Sequence, residues 1–375
     1  MIDAHEARNL RRISGPDDGR FRRSCMEAGT AMNRCSASAR ATVVGAVVAT
    51  LCALSAGGCG ANRAGGRIWD YYSVHGGPNS GIIWTEYGVI AVDTQETPSG
   101  GYLVSQQAAQ TSQKLWEEFN RAGGNLIKRT DPPPVLYVMN TSHLPAAWFG
   151  NQSFTQAEII SSAVSRKLMR DEFDLLKGEV SGRHSRRELE DLRMTLPTMS
   201  VEGELALHTP QSDIRFIVLP SAPLPGMSVV FLESERVLFA GALVPGRGIP
   251  DARGRRIPEW IEALEFVEKL NPVAVLPASG APVEGRRLAA LRDYLSRLWA
   301  AAGTAAEGAA ATAEEAATDP KFDLPEFREW ENYGLLHRAN VAEALRQRAG
   351  GRARGGGEDV RNASPDLKPQ RSRRP

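Results

Sequence analysis

Beyond Cys59 the chain has no cysteine. The four it holds, Cys25, Cys35, Cys52 and Cys59, all fall within the first 59 of 375 residues. No disulfide can staple the rest of the chain, and no thiolate there can hold a metal. Histidine is scarce as well. His5, His75, His143, His184, His208 and His337 are the full set, and no two share an H-x-H or H-x-x-x-H spacing. Neither sign of charge is in excess, since 45 Lys+Arg face 44 Asp+Glu, so there is no basic field for a nucleic-acid partner. Phosphate loops are missing too, because RAGGN and ARGGGED lack the lysine and the spacing. A G-x-S-x-G nucleophile elbow is equally absent, and PASGAP around Ser279 does not meet that pattern.

What is present begins with one uncharged run, ATVVGAVVATLCALSAGG over 41–58, preceded by Arg34 and Arg40. A positive flank, a short apolar stretch and small residues make the layout of an export signal. The run ends at SAGGCG, which resembles a bacterial lipobox with Cys59 as the lipid-attachment residue, although Ala56 stands where leucine is usual. Ordinary signal cleavage and a retained N-terminal anchor are the alternatives. All three imply an exported, cell-envelope or periplasmic protein. Met26 or Met32 offers a start that brings a shorter flank to the signal.

From residue 67 onward the chain divides into a main domain over 67–300, an Ala-rich linker or weak helix over 301–320, a helical segment over 321–349 and a basic, disordered tail over 350–375. Within the main domain, SGIIWTEYGVIAVDT predicts a hairpin turning near Tyr87-Gly88. A helix comes next, with Leu115, Trp116 and Phe119 on one side and Gly123-Gly124 as its stop. PPPVLYVMN predicts a strand. The spacing of Ile159, Ile160, Val164 and Leu168 predicts one helix over 155–176, with a charged, surface helical insertion running to about Arg193. DIRFIVLP, MSVVFLES and RVLFAGALV predict strands. Pro258 opens a helix that carries Trp260, Ile261, Leu264, Val267 and Leu270 on one face, and VAVLPASG predicts a buried strand before a last good helix over 286–299. The aromatic segment after 320 is expected to dock back on the domain.

Strands and helices in two successive halves suggest two sheets packed face to face with helices outside. Four stretches in order, NSGIIWTEYGVIAVDT, LYVMNTSHLPAAWFGN, LPGMSVVFLESERVLFAGALV and NPVAVLPASGAP, resemble the punctuation of the metallo-β-lactamase superfamily. That resemblance spans about Trp69 to Trp299 and implies a four-layer αβ/βα sandwich. It also implies a zinc-binding H-x-H-x-D-H loop after a strand, with three further ligands downstream.

Matched position by position, the resemblance places those ligands at Ser142, Leu144, Ala146, Ala147, Pro223, Ala242 and Ser279. Alanine, leucine and proline side chains offer no donor, and a neutral hydroxyl is a poor one. The expectation is therefore a degenerate member, with no zinc and no other cofactor. It would be a pseudoenzyme whose old cleft binds a small molecule or whose rim binds a protein, held at a membrane by its lipid or anchor. Leu144, Pro145, Ala146, Ala147 and Trp148 are apolar enough to close the emptied site.

Asp93 falls where the family has Asp-Thr-Gly, with a glutamine in place of the glycine. It is expected either to support the metal loop or to cap backbone N–H groups. His75, Asp93 and His143 are candidate cleft residues. One alternative is a hydrolase of the same superfamily with an atypical or single-metal site drawn from His75, Asp93, His143 and His208. Adjacent Ser142 and His143 should point apart, and His208 shows no acidic partner. A second alternative is a surface interaction protein acting through its aromatic C-terminal segment and basic tail.

Overall fold

The computed structural model describes residues 68–74, 76–123, 130–305 and 312–355. The export-like run, Cys59, His75, part of the Ala-rich stretch (306–311) and the tail from 356 lie outside the described residues.

Two six-stranded sheets form the centre. In the first, β1 (Trp69–Ser73), β2 (Asn79–Trp84), β3 (Val89–Val92), β4 (Val135–Met139), β5 (Glu158–Ser162) and β6 (Met199–Val201) lie side by side in chain order. β1 to β3 pair antiparallel and β3 to β6 pair parallel. In the second, β7 (Glu204–His208), β8 (Asp213–Val218), β9 (Ser228–Leu232), β10 (Val237–Gly241), β11 (Ala274–Pro277) and β12 (Val283–Glu284) are likewise neighbours in order. There β10 and β11 run parallel and the other neighbours antiparallel. Ile82, Ile90, Met139 and Ile160 of the first sheet share one core with Ile214, Phe216, Val230 and Phe239 of the second. Such a face-to-face apolar layer is what holds a sheet sandwich together.

Helices cover the outer faces. α1 (Pro98–Arg121) carries the chain from β3 to β4. Thr97 caps it by accepting the Gly100 N–H, Pro98 sits in its first turn, and Gly123 turns out of it at φ +80°. After β4 come the one-turn α2 (Pro145–Trp148), then β5, α3 (Ala163–Asp171), α4 (Phe173–Val180) and α5 (Arg186–Glu190). The single helix expected over 155–176 is therefore corrected. Glu158–Ser162 is strand β5, and Ser162 ends it by capping α3 through its hydroxyl. The β-branched pair Ile159-Ile160 is buried on both faces of that strand, and a fully buried strand shows no alternation to distinguish it from a helix. Val164, expected on the buried face, is exposed.

On the second sheet lie α6 (Ile257–Glu268), α7 (Arg286–Ala305), α8 (Ala313–Ala316) and α9 (Tyr333–Gly355). Phe322, Phe327, Tyr333, Val341 and Leu345 join the same core as Trp260, Leu291 and Leu298. At its centre the Tyr294 hydroxyl lies 3.1 Å from His337 Nδ1 and accepts from Asn340 Nδ2 at 3.0 Å. Asn340 in turn donates to the Pro250 carbonyl and accepts from the Ala252 N–H. Tyr294→Phe keeps the ring and strands two buried polar groups, so it should cost about 1–3 kcal/mol in urea unfolding. An unchanged unfolding midpoint would mean that α9 is not clasped to α7 in this way. Among the described residues no helix is long and apolar enough to cross a membrane.

Candidate functional site

Parallel strands leave their loops at one edge, and here β3, β4, β10 and β11 all release the chain toward the same space. The loop after β3 is the frame. Asp93 takes φ 61° and Gln95 φ 78°, left-handed conformations that favour glycine, so this strap holds two non-glycine residues in strained backbone. Gln95 offsets that strain with side-chain hydrogen bonds to the Pro78 carbonyl (2.8 Å) and Ser80 Oγ (2.9 Å). Asp93 reaches across to the β4 loop. Its Oδ1 accepts the Thr141 N–H at 2.8 Å and its Oδ2 accepts the Thr141 hydroxyl at 2.7 Å. Burial pushes the Asp93 carboxyl up to about 7, with the two Thr141 hydrogen bonds opposing. Gly241, at φ +48°, closes over this clasp, where a Cβ would sit 2.3 Å from Thr141 Oγ1.

The β4 loop is laced to the strap through its backbone. Thr94 N–H donates to Ala147 O, Gln95 N–H to Ala146 O and Gly150 N–H to Gln95 O, at 2.9–3.1 Å. Asn140 and Asn151 exchange side-chain hydrogen bonds, and Asn151 also accepts from Thr94 and donates to the Thr195 carbonyl. A rim bridge joins the sheets where Pro78 pairs with Ser279 and Asn79 donates to the Ala278, Pro277 and Gly280 carbonyls.

These loops enclose a cleft of about 490 Å³. Six of the seven positions assigned to zinc ligands line it: Ser142, Leu144, Ala146, Ala147, Ala242 and Ser279, with Asp93 beside them. Pro223 does not line it. It is buried in the β8–β9 connection, where its carbonyl accepts the Arg256 N–H. The expected closure by apolar side chains is also corrected, because the space stays open. Pro145 sets the phase of α2, so that Ala146 and Ala147 face the cleft while Trp148 turns away. Trp148 Nε1 donates to the His143 carbonyl, and its ring packs on Phe149 (4.9 Å) and Phe173 (5.8 Å) within the α3–α5 region. A smaller groove of about 330 Å³ between α1 and β1 involves none of these loops.

His143, taken from the sequence as a cleft residue, is not among the lining residues. Its ring turns toward Glu172, with Nε2 3.9 Å from the carboxylate and Nδ1 buried without a hydrogen-bond partner among the described residues. Burial pulls its pKa below the ordinary value, so the ring is neutral at neutral pH and the contact is not an ion pair there. His208 lies exposed on edge strand β7, and its missing partner is Asp213, directly opposite in the β7–β8 register at 3.0 Å. The structure does not bring Asp93, His143 and His208 into one site.

Four groups at the cleft escape the sequence reading. Glu96 lines it, held by Arg183 at 2.9 Å and His184 at 3.0 Å from the turn between α4 and α5. Arg183 and Arg255 line it as well. Zinc needs three or four converging imidazole, thiolate or carboxylate donors. Here Asp93 is committed to Thr141, Glu96 is committed to Arg183 and His184, and two guanidinium residues share the space. Among the described residues no group of three or more His, Cys, Asp and Glu is placed to hold a metal ion. The residues present do not fit the zinc centre that the resemblance implies.

No family model and no curated protein matches the chain. Solved structures do. The stereoselective inverting sec-alkylsulfatase from Pseudomonas sp. matches at 15% identity over 74% of this chain and 48% of its own, with a TM-score of 0.55, so the chain spans about half the length of that enzyme. A metallo-beta-lactamase from Pontibacter korlensis matches at 14% identity over 61% of this chain and 93% of its own, with a TM-score of 0.42. One from Hirschia baltica matches at 15% identity over 61% and 91%, with a TM-score of 0.43. The architecture is thus a metallo-β-lactamase fold, an αβ/βα sandwich of two six-stranded sheets flanked by helices. At these identities the likeness extends to the fold and no further.

Proposed function

We propose that this chain is a metallo-β-lactamase-fold pseudoenzyme, exported and tethered at the cell envelope, that binds a small molecule in the cleft its fold elsewhere gives to metal chemistry. One observation carries the proposal. Six assigned ligand positions converge on a single open cleft with carbon or a neutral hydroxyl at each. The cleft volume suits a small ligand, and apolar walls with a few fixed polar groups are the usual composition of such sites. The export and tethering part rests on the 41–58 run and Cys59. The aromatic C-terminal segment is spent on the core, which weakens the reading of a surface interaction protein built on it.

The hydrolase alternative keeps one point in its favour, the Glu96–His184 pair at the cleft rim. A single experiment separates the two. The full chain, with and without added Zn²⁺, is assayed against lactam, thioester, phosphodiester and sulfate-ester substrates. Turnover is expected to equal the buffer rate in every case. Ala147→His, which returns one imidazole to the cleft, should change neither zinc retention nor rate, because several donors must converge before an ion is held. Zinc-dependent hydrolysis by either protein would overturn the proposal.

A further inference from the structure

We infer that the cleft recognises an oxyanion on an apolar body, with Arg255 gripping the anionic head and Leu144, Ala146 and Ala147 receiving the rest. This rests on the cleft being a ligand site, and it names the ligand's chemical class. Arg255 lies in the ARGRRIPEW stretch just before α6, whose neighbour Arg256 ties that stretch to Ala222 and Pro223 by hydrogen bonds from its guanidinium and its N–H. The tie places Arg255 on the cleft wall.

Its Nη1 is buried and has no hydrogen-bond partner among the described residues. Of the two acids four residues away, Asp251 is bound twice by the Arg253 side chain and Glu259 pairs with Arg256. The Trp260 ring lies 5.4 Å from the Arg255 guanidinium carbon, a contact with a cation that leaves its fork of donors free. Burial works against the Arg255 charge and Asp251 offsets this only by attraction through space. A planar, always-charged donor fork held this way is suited to a carboxylate or a sulfate or phosphate oxygen pair. Arg183 lies on the same cleft, but Glu96, which also lines it, pairs with its guanidinium, so that pair adds no net charge and leaves Arg255 to meet the head. From the β4 loop, Leu144, Ala146 and Ala147 add isobutyl and methyl surface beside the hydroxyls of Thr141 and Ser142. Positive charge therefore reaches the cleft on a fixed side chain that can bind an anion.

The test is calorimetric titration of the full chain with hexanoate, hexyl sulfate and hexanol, three probes with one apolar body and different heads. Either anion is expected to bind more than tenfold tighter than hexanol. Arg255→Met should erase that difference, whereas Arg255→Lys should keep part of it. Arg255→Met should also melt no lower than the parent chain, since it removes a half-buried charge that only the Trp260 ring and the through-space pull of Asp251 offset. Should the methionine variant fail to fold, the lysine variant and the anion-to-hexanol ratio on the parent chain still decide. Equal binding of hexanol and the anions, or anion binding unchanged in Arg255→Met, overturns the inference while leaving a ligand-binding cleft in place. No binding of either anion overturns it too. Failure of the underlying reading shows separately, as zinc-dependent turnover.

Discussion

Gly150→Ala is expected to destabilise the chain by about 3 kcal/mol or more. The glycine is not there for an unusual φ. It is there because a Cβ would stand 1.9 Å from the Thr94 carbonyl oxygen and 2.5 Å from Gly101 Cα. Both neighbours are backbone, one in the strap after β3 and one in the first turns of α1, so no side chain can swing aside. Relief requires the β4 loop to leave the strap, which breaks the hydrogen bonds that Thr94, Gln95 and Gly150 make across the junction. The melting temperature should fall by roughly 6–12 °C. Because Ala146 and Ala147 ride on the same loop, ligand affinity at the cleft should fall with it. A variant that melts with the parent chain would show that the strap and loop are not in the contact described.

The second large effect is a pH dependence centred on Asp93. In the unfolded chain this carboxyl takes its ordinary value of 3.8, and in the folded chain burial pushes it to about 7. Between those values the folded state keeps a proton that the unfolded state releases. Stability from this group is therefore full below about pH 4 and is lost as pH rises through 7. The whole span corresponds to about 4 kcal/mol, of which about 2–3 kcal/mol falls between pH 5 and 8. Asp93→Asn keeps the shape and cannot ionise, so its stability should be flatter over that interval. Urea midpoints at pH 5 and pH 8 for both proteins measure the difference. Parallel curves would mean that the Asp93–Thr141 clasp does not hold a proton.

Much of the frame was legible because it is written in local chemistry. The Asp93 strand end, the Asn140-Thr141 strand exit, Gly150-Asn151 and Gly241 occur in the order that a sandwich of this kind requires, and each turns out to hold one loop against another. Gly150, in the turn after α2, also serves a close backbone approach, and Asn151 is a buried hydrogen-bonding hub. What stayed illegible depends on phase or on distance in sequence. Whether Trp148 fills the cleft is set by the rotation of one helical turn after Pro145, which composition does not reveal. Glu96 meets Arg183 and His184 across 87 and 88 residues, and Arg255 arrives from a loop between β10 and α6. The residues matched to ligand positions carry no hint of Arg255, which lines the same cleft.

The proposed function turns on one claim, that the cleft of this metallo-β-lactamase fold holds no metal. Elemental analysis tests it most directly, on the full chain produced with zinc, iron and manganese in excess and passed through a weak chelator. The account predicts far less than one ion of any of the three per chain. A single ion retained per chain, released only by a strong chelator, would contradict it.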